Sequence, residues 1–409
     1  MAKQFKADDL FVELGAASSR TASAGSLIAT AVPEDGFQVG GSRSSTDLPT
    51  DHGAAGVLLS YEATRNAEAG SASWYPFPLN VGTIFTACAG AETDNFVELR
   101  WHKGNANLSS SDINGQEMLG GIFDGFTLNI DRSGESQPLT LDTSIYVNRV
   151  DNRIQGTDTV PTKPAHTILP YQSGGVLVDV KHNAADTFGG DHPEILGVNV
   201  SYTRGAELAG FASSSTANLN NTWTRVDGYD LGLTVELTVN LDGYDWPLDI
   251  INASERPIGA MRLALTHPNA DTTTTTEDIA AGVTGSAQTI AMADASEFLA
   301  GDVCILRDFD NDRFGALTID SIATNDVDFD TTSGNYTLDL AIEGSGSTAA
   351  GVENMGVFLD IPRMQLAGHG RVVRNGRKRS ITLTYNASLN VGESNLLTAL
   401  AYNHPESRL

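Results

Sequence analysis

The hydrophobic and polar positions of this chain alternate with period two almost wherever they show a period at all. The clearest run is Leu231 to Leu241, where Leu231, Leu233, Val235, Leu237, Val239 and Leu241 alternate with Gly232, Thr234, Glu236, Thr238 and Asn240. Side chains two apart on a strand share a face, so this is a strand with one buried side. Asp242-Gly243 follows as a turn. Shorter runs of the same kind lie at Val57 to Tyr61, Val97 to Trp101, Phe126 to Ile130, Leu139 to Val147, Val176 to Val180, Gly197 to Thr203 and Met261 to Leu265. The strand at Val97, Leu99 and Trp101 is expected to turn Glu98, Arg100 and His102 to water. Two short helices are expected where an aromatic residue meets proline: Leu79 to Ala89 after Trp74-Tyr75-Pro76-Phe77-Pro78, and Asp245-Trp246-Pro247 to about Arg256. Long helical patterns are nearly absent, so the chain reads as mainly β.

The pattern repeats. Gly125 to Arg132 matches Gly197 to Arg204, and Pro78 to Trp101 matches Pro247 to Leu265, which points to an internal duplication. The second copy is interrupted by Thr272 to Thr276 at one end and Gly344-Ser345-Gly346-Ser347 at the other, both of linker composition. Between them, strands are expected at Gln288 to Ala291, Val303 to Leu306, Ala316 to Ile322 and Tyr336 to Ile342, with a capping box at Asp294 to Glu297. The division is therefore residues 1–53 as a strand and long loop or arm, and 54–150 as a first β domain. A linker at 151–173 precedes a second β domain formed by 174–270 and 354–390. An inserted β domain occupies 271–353, and 391–409 is a tail.

Charge sharpens this division. The 409 residues carry a formal net charge of -26, and residues 271–353 hold 16 acids against two arginines. Six of the 25 cations are lysines. Such a surface suits a protein kept hydrated in concentrated salt, and equally an acidic protein that avoids nucleic acid. One stretch runs the other way. Arg371, Arg374, Arg377, Lys378 and Arg379 place five cations in nine residues around the turn Asn375-Gly376. A subunit contact, a solvated hairpin tip and a DNA contact are all open to it. An acidic face of a neighbouring copy is the best match, because interleaved aromatics and a basic domain are missing.

Candidate chemistry is sparse. Asp308-Phe309-Asp310-Asn311-Asp312 spaces acids as calcium loops do, but Arg313 stands where such a loop needs glycine and Ile319 where it needs glutamate. A charged hairpin turn is the expectation. The sequence contains no Gly-x-Ser-x-Gly elbow, P-loop or dinucleotide fingerprint, and its eight histidines lack metal spacing. No catalytic residue, cofactor or metal is expected. Cys88 and Cys304 do not form a disulfide framework, in keeping with a reducing cytoplasm. The start, Met1 to Asp9, lacks the apolar run of a signal peptide, and no span of membrane length occurs.

Taken together, the tandem β blocks, the Trp246-Pro247 and Pro76-Phe77-Pro78 entries, the late strand Phe358 to Pro362 and the closing strand Ile381 to Ala387 resemble the major tail tube proteins of long-tailed bacterial or archaeal viruses. The inserted unit, with Phe298 to Val303, is similar to small β modules that decorate virions. The resemblance implies a virion structural protein without enzymatic activity, assembled in the host cytoplasm. It also implies homo-oligomeric rings, either hexamers or pseudo-hexameric trimers. These would stack with other tail proteins into a tube that lets DNA pass without specific binding. The alternative from another class is a β-rich virion or cell-surface adhesin that binds glycans.

Overall fold

The computed structural model describes residues 10–30, 32, 37–39, 45–48, 59–62, 68–89, 95–103, 113–132, 136–154, 169–183, 186–189, 194–209, 225–242, 246–253, 256–283, 289–330, 336–344, 350–375, 378–389 and 396–402. The fold is mainly β, with antiparallel sheets, a half-barrel and two short helices. Two long strands, Ile113–Asp131 and Val357–His369, organise it, because each changes neighbours along its length.

The central layer contains eight strands. In spatial order these are Phe37–Val39, Glu68–Trp74, Thr140–Val147, the second half of Ile113–Asp131, Ile195–Thr203, Gly232–Asn240, Lys378–Ala387 and the second half of Val357–His369. The first halves of the two long strands leave this layer for flanking sheets. One carries Phe96–Lys103 and Arg149–Ile154 on either side of it, with Leu10–Ala17 and Ile28–Thr30 beyond. The other carries Ile258–Leu265 and Thr398–Ala401, with Val176–Lys181 beyond. Between the layers lies one continuous core that includes Trp74, Phe85, Phe123, Phe126, Tyr202, Leu237, Met261 and Leu383.

The helix Val81–Ala89 forms where the prolines end and Asn80 organises the entry, its Oδ1 accepting from the Phe77 N–H at 2.9 Å. It buries Val81, Ile84, Phe85 and Cys88. Its counterpart is Trp246–Asn252, shorter than expected at its far end.

Residues 272–353 supply a six-stranded sheet, and its core extends through Phe358, Ala260, Ala264 and Leu400 of the main body. The turn after Val303–Asp308 is a hairpin built on Asp308. Its carboxylate accepts from the Asp310 and Asn311 N–H groups at 3.1 Å, and Asp312 closes the turn at φ 50°.

Several expectations are corrected. Residues 1–53 are more than one strand and a loop, since Ile28–Thr30, Phe37–Val39 and Ser45–Leu48 all pair. Residues 151–154 are sheet and not linker, with Asp151 opposite Glu117. Residues 396–402 of the expected tail are part of the body, because Thr398–Ala401 pairs with Val357 to Asp360 and Tyr402 is fully buried. Around Asp294 the chain turns instead of starting a helix; its carboxylate accepts from Ser296 two residues on, a local bond that competes with helix formation. Residues 336–342 form no continuous strand; their β pairing is through isolated bridges such as Leu338 to Val283. Glu98, expected in water, is fully buried, because the chain at Ala24 covers it and donates its N–H at 2.6 Å.

Candidate functional site: a duplicated sheet and its open edges

The same connectivity occurs twice. Phe37–Val39, the hairpin Ser45–Leu48 with Leu59–Glu62, Glu68–Trp74, a helix, Phe96–Lys103, a long bent strand and Thr140–Val147 follow one another in the first half. Ile195–Thr203, the hairpin Ala206–Ala209 with Arg225–Tyr229, Gly232–Asn240, a helix, Ile258–Leu265, a long bent strand and Lys378–Ala387 do so in the second. The irregularities coincide as well. Pairing slips between Val97 and Leu99 and again between Gly259 and Met261, then between Phe123 and Gly125 and again between Leu366 and Gly368.

Charged triads recur at the same place. Arg100 stands opposite Glu13 and Glu117 on neighbouring strands, as Arg262 stands opposite Asp179 and Asp360. Arg100 Nη2 meets Glu117 at 2.8 Å, and Arg262 Nε meets Asp360 at 3.1 Å. A cross-strand ion pair needs a fixed register, so its recurrence at equivalent slips makes the duplication a property of the fold.

The two halves meet edge to edge. Residues 125–131 of the first pair with 197–203 of the second, with Phe126 opposite Tyr202 and Leu128 opposite Val200. The bulge beside this seam makes it specific. Asp124 O accepts from the Arg204 N–H at 2.8 Å, and Asp124 Oδ1 accepts from the Ala206 N–H at 2.6 Å. Burial raises the pKa of Asp124, while that N–H bond and Arg204 hold it down. Arg204 is fully buried; its Nη1 donates to Ala87 O near the helix end at 3.1 Å, and its guanidinium lies 4.1 Å from the Tyr229 ring. A cation at a helix C-terminus is favourable on dipole grounds. Gly125, at φ 140°, has no room for a side chain: a Cβ there would sit 2.1 Å from Tyr202 O.

Across this seam the core-free face of the central layer is polar. Asp142, Thr127, Asn129, Asp131, Asn199, Ser201, Glu236, Thr238, Ser380 and Thr382 occupy the alternate positions, and every charged residue among them is acidic. Hydroxyls bridge neighbouring strands, Thr127 to Ser201 at 3.3 Å and Thr238 to Thr382 at 3.0 Å. Part of this face forms an open cleft of about 740 Å³ with Arg132 and Glu194 at its rim.

The basic stretch lies at the far edge of the same layer. Val373–Asn375 pairs back on Lys378–Ala387, with Arg374 opposite Arg379. Arg371, Arg374 and Arg379 are exposed. Arg379 is engaged by its own chain, its Nε bonded to Asp242 Oδ1 at 2.9 Å. Arg377 lies outside the described residues, as does the side chain of Lys378. Val372 and Val373 are more than half exposed.

Sequence reasoning missed Arg204, Asp124 and the two triad arginines. Their signal was present, in an arginine at the same point of two alternating strands. No group of three His, Cys, Asp or Glu residues among the described ones is arranged to hold a metal ion, and no described helix is long and apolar enough to cross a membrane. Cys88 and Cys304 are buried and form no disulfide, and burial pushes the Cys88 thiol well up. No protein-family model matches the chain, and no curated protein matches it.

Proposed function

We propose that this chain is a structural subunit of a viral tail tube, built to form stacked rings around a channel through which DNA passes. The observation that carries this reading is the central layer. It is a curved sheet of two equal halves, already joined edge to edge once within the chain, with a face of hydroxyls, amides and acids.

Such a face suits the wall of a nucleic-acid conduit. Phosphates are held by cations and released from none, so a wall with Asp131, Asp142 and Glu236 gives the backbone no place to lodge. The net charge of -26 acts in the same direction at longer range. In this reading the six-stranded sheet decorates the outside of the tube, and assembly takes place in the host cytoplasm before the subunit enters the virion.

The test is electron microscopy of the purified protein at low and high salt. Rings or hollow, regularly striated tubes are expected. A particle that stays monomeric at every salt concentration overturns the reading.

A further inference from the structure

The duplication makes one seam inside the chain and leaves the matching edges of a second seam without a partner among the described strands. We propose that the outer edge of Phe37–Val39 pairs, antiparallel, with residues 371–373 of a second copy of this chain, centred on Gln38 opposite Val372. The proposal rests on the ring-forming reading above and names the contact that closes such a ring.

The register follows from equivalence. Phe37–Val39 pairs with Glu68–Trp74 as Val198, Asn199 and Val200 pair with Gly232–Asn240, so it is the first half's version of the strand that makes the internal seam. Its other edge pairs with no described strand. Gly368 follows its bulge as Gly125 follows its own, so residues 368–373 are the second half's version of the strand that receives it. In the internal seam Asn199 lies opposite Asn129. Counting the same distance from each glycine places Gln38 opposite Val372. An extra residue between the Gly370 bond to Thr382 and the Val373 pair with Ser380 sets the tolerance at one position.

Independent observations agree. Where a Cβ on Gly125 would strike the strand already bound there, a Cβ on Gly368 would meet nothing within 4 Å. Val372 and Val373, at 52% and 58% exposure, are apolar residues left on that edge. An open strand edge of this kind invites another chain. The contact is heterologous, and a heterologous contact closes into a ring when its rotation permits.

The experiment is oxidative crosslinking of the full chain carrying Gln38→Cys and Val372→Cys, followed by non-reducing electrophoresis and microscopy. The native thiols of Cys88 and Cys304 are buried. A ladder of covalent multimers ending at one ring size is expected, with only monomer from either single variant. Tubes that form without the crosslink, at these positions or one residue either side, overturn the proposal and leave the tube reading standing. Wild-type protein that never assembles overturns both. Should the double variant fail to assemble, hydrogen exchange on wild-type assemblies decides. Slowing of amide exchange by tenfold or more at 37–39 and 371–373 relative to monomer is expected, and unchanged exchange there overturns the proposal.

Discussion

Arg100 and Arg262 occupy the same point of the two halves and live in different surroundings. Arg100 is about a fifth exposed and shares its charge between Glu98 and Glu117 at 2.5 and 2.8 Å. Arg262 is 2% exposed, bonded to Asp360, and capped by Asp339 of the six-stranded unit, with the Phe188 ring 4.1 Å away. Lys181 also reaches Asp339 at 3.8 Å. What was a cross-strand pair on the rim of one half has become, in the other, the fastening for an added sheet. Burial raises the Asp360 pKa, Arg262 opposing it. A buried pair of this sort contributes little net stability against an apolar replacement, but losing one partner strands the other.

That difference sets the largest expected effect. Arg262→Ala should cost about 3–5 kcal/mol in denaturant unfolding, because the largely buried Asp360 is left without the cation bonded to it. Arg100→Ala should cost less, about 2 kcal/mol, since Glu117 keeps access to water and the buried Glu98 keeps the Ala24 N–H. Replacing Arg262, Asp339 and Asp360 together by Met, Leu and Leu should recover most of the first loss. Equal costs at the two arginines would end the contrast.

The second comparison is between the bulge glycines. Gly125→Ala should cost about 2–3 kcal/mol, because its φ of 140° and the contact with Tyr202 O both oppose a Cβ. Gly368→Ala should leave the monomer within about 0.5 kcal/mol, since its surroundings are open. Thermal melts of the monomers read both.

How much of this could be read in the residues depended on period. The run Leu231 to Leu241 became a strand buried on the Leu and Val side, because a half-buried strand in mid-sheet has no freedom to do otherwise. The helix entries at Pro78 and Pro247 marked true equivalents. The likeness of Gly125–Arg132 to Gly197–Arg204 was real but of another kind: the two are antiparallel partners across the seam, and partners on one sheet bury the same face. The true counterpart of the first, residues 368–373, was hidden because an edge with no described partner strand has no burial to impose alternation. Glu98 and the triads were illegible for the opposite reason. Polar residues at alternate positions look wet until the segment that covers them, here Ala24, is placed. Arg379, grouped by sequence with its cationic neighbours, is held by Asp242 of its own chain.

A further contrast lies in pH response. His267, in the second half, is buried; its Nε2–H donates to Leu169 O at 2.6 Å while Nδ1 accepts from the Asn269 N–H at 3.1 Å. Burial lowers its pKa below the ordinary 6.5, only partly offset by the Leu169 carbonyl. The unfolded chain therefore binds a proton that the folded chain refuses. Stability from this residue is complete above pH ~6.5 and is lost as pH falls toward the folded value. Melting temperature should drop between pH 7.5 and 5, and His267→Gln should flatten that slope. An unchanged slope places the titration elsewhere.

The smallest effect belongs to the basic hairpin within a single chain. Arg379 and Asp242 are 59% and 36% exposed, so breaking their pair should cost under about 1 kcal/mol and less in high salt. Arg379→Ala is accordingly expected to leave the monomer melt nearly unchanged. Its value is as a control for assembly. If the hairpin works through general positive charge, Arg379→Ala should weaken assembly about as much as Arg371→Ala. With Arg379 committed to Asp242, and Arg371 on the edge proposed to receive a second copy, Arg371→Ala should shift the critical assembly concentration several-fold more. Matched shifts would assign the hairpin to long-range attraction and take edge pairing at Arg371 out of the account.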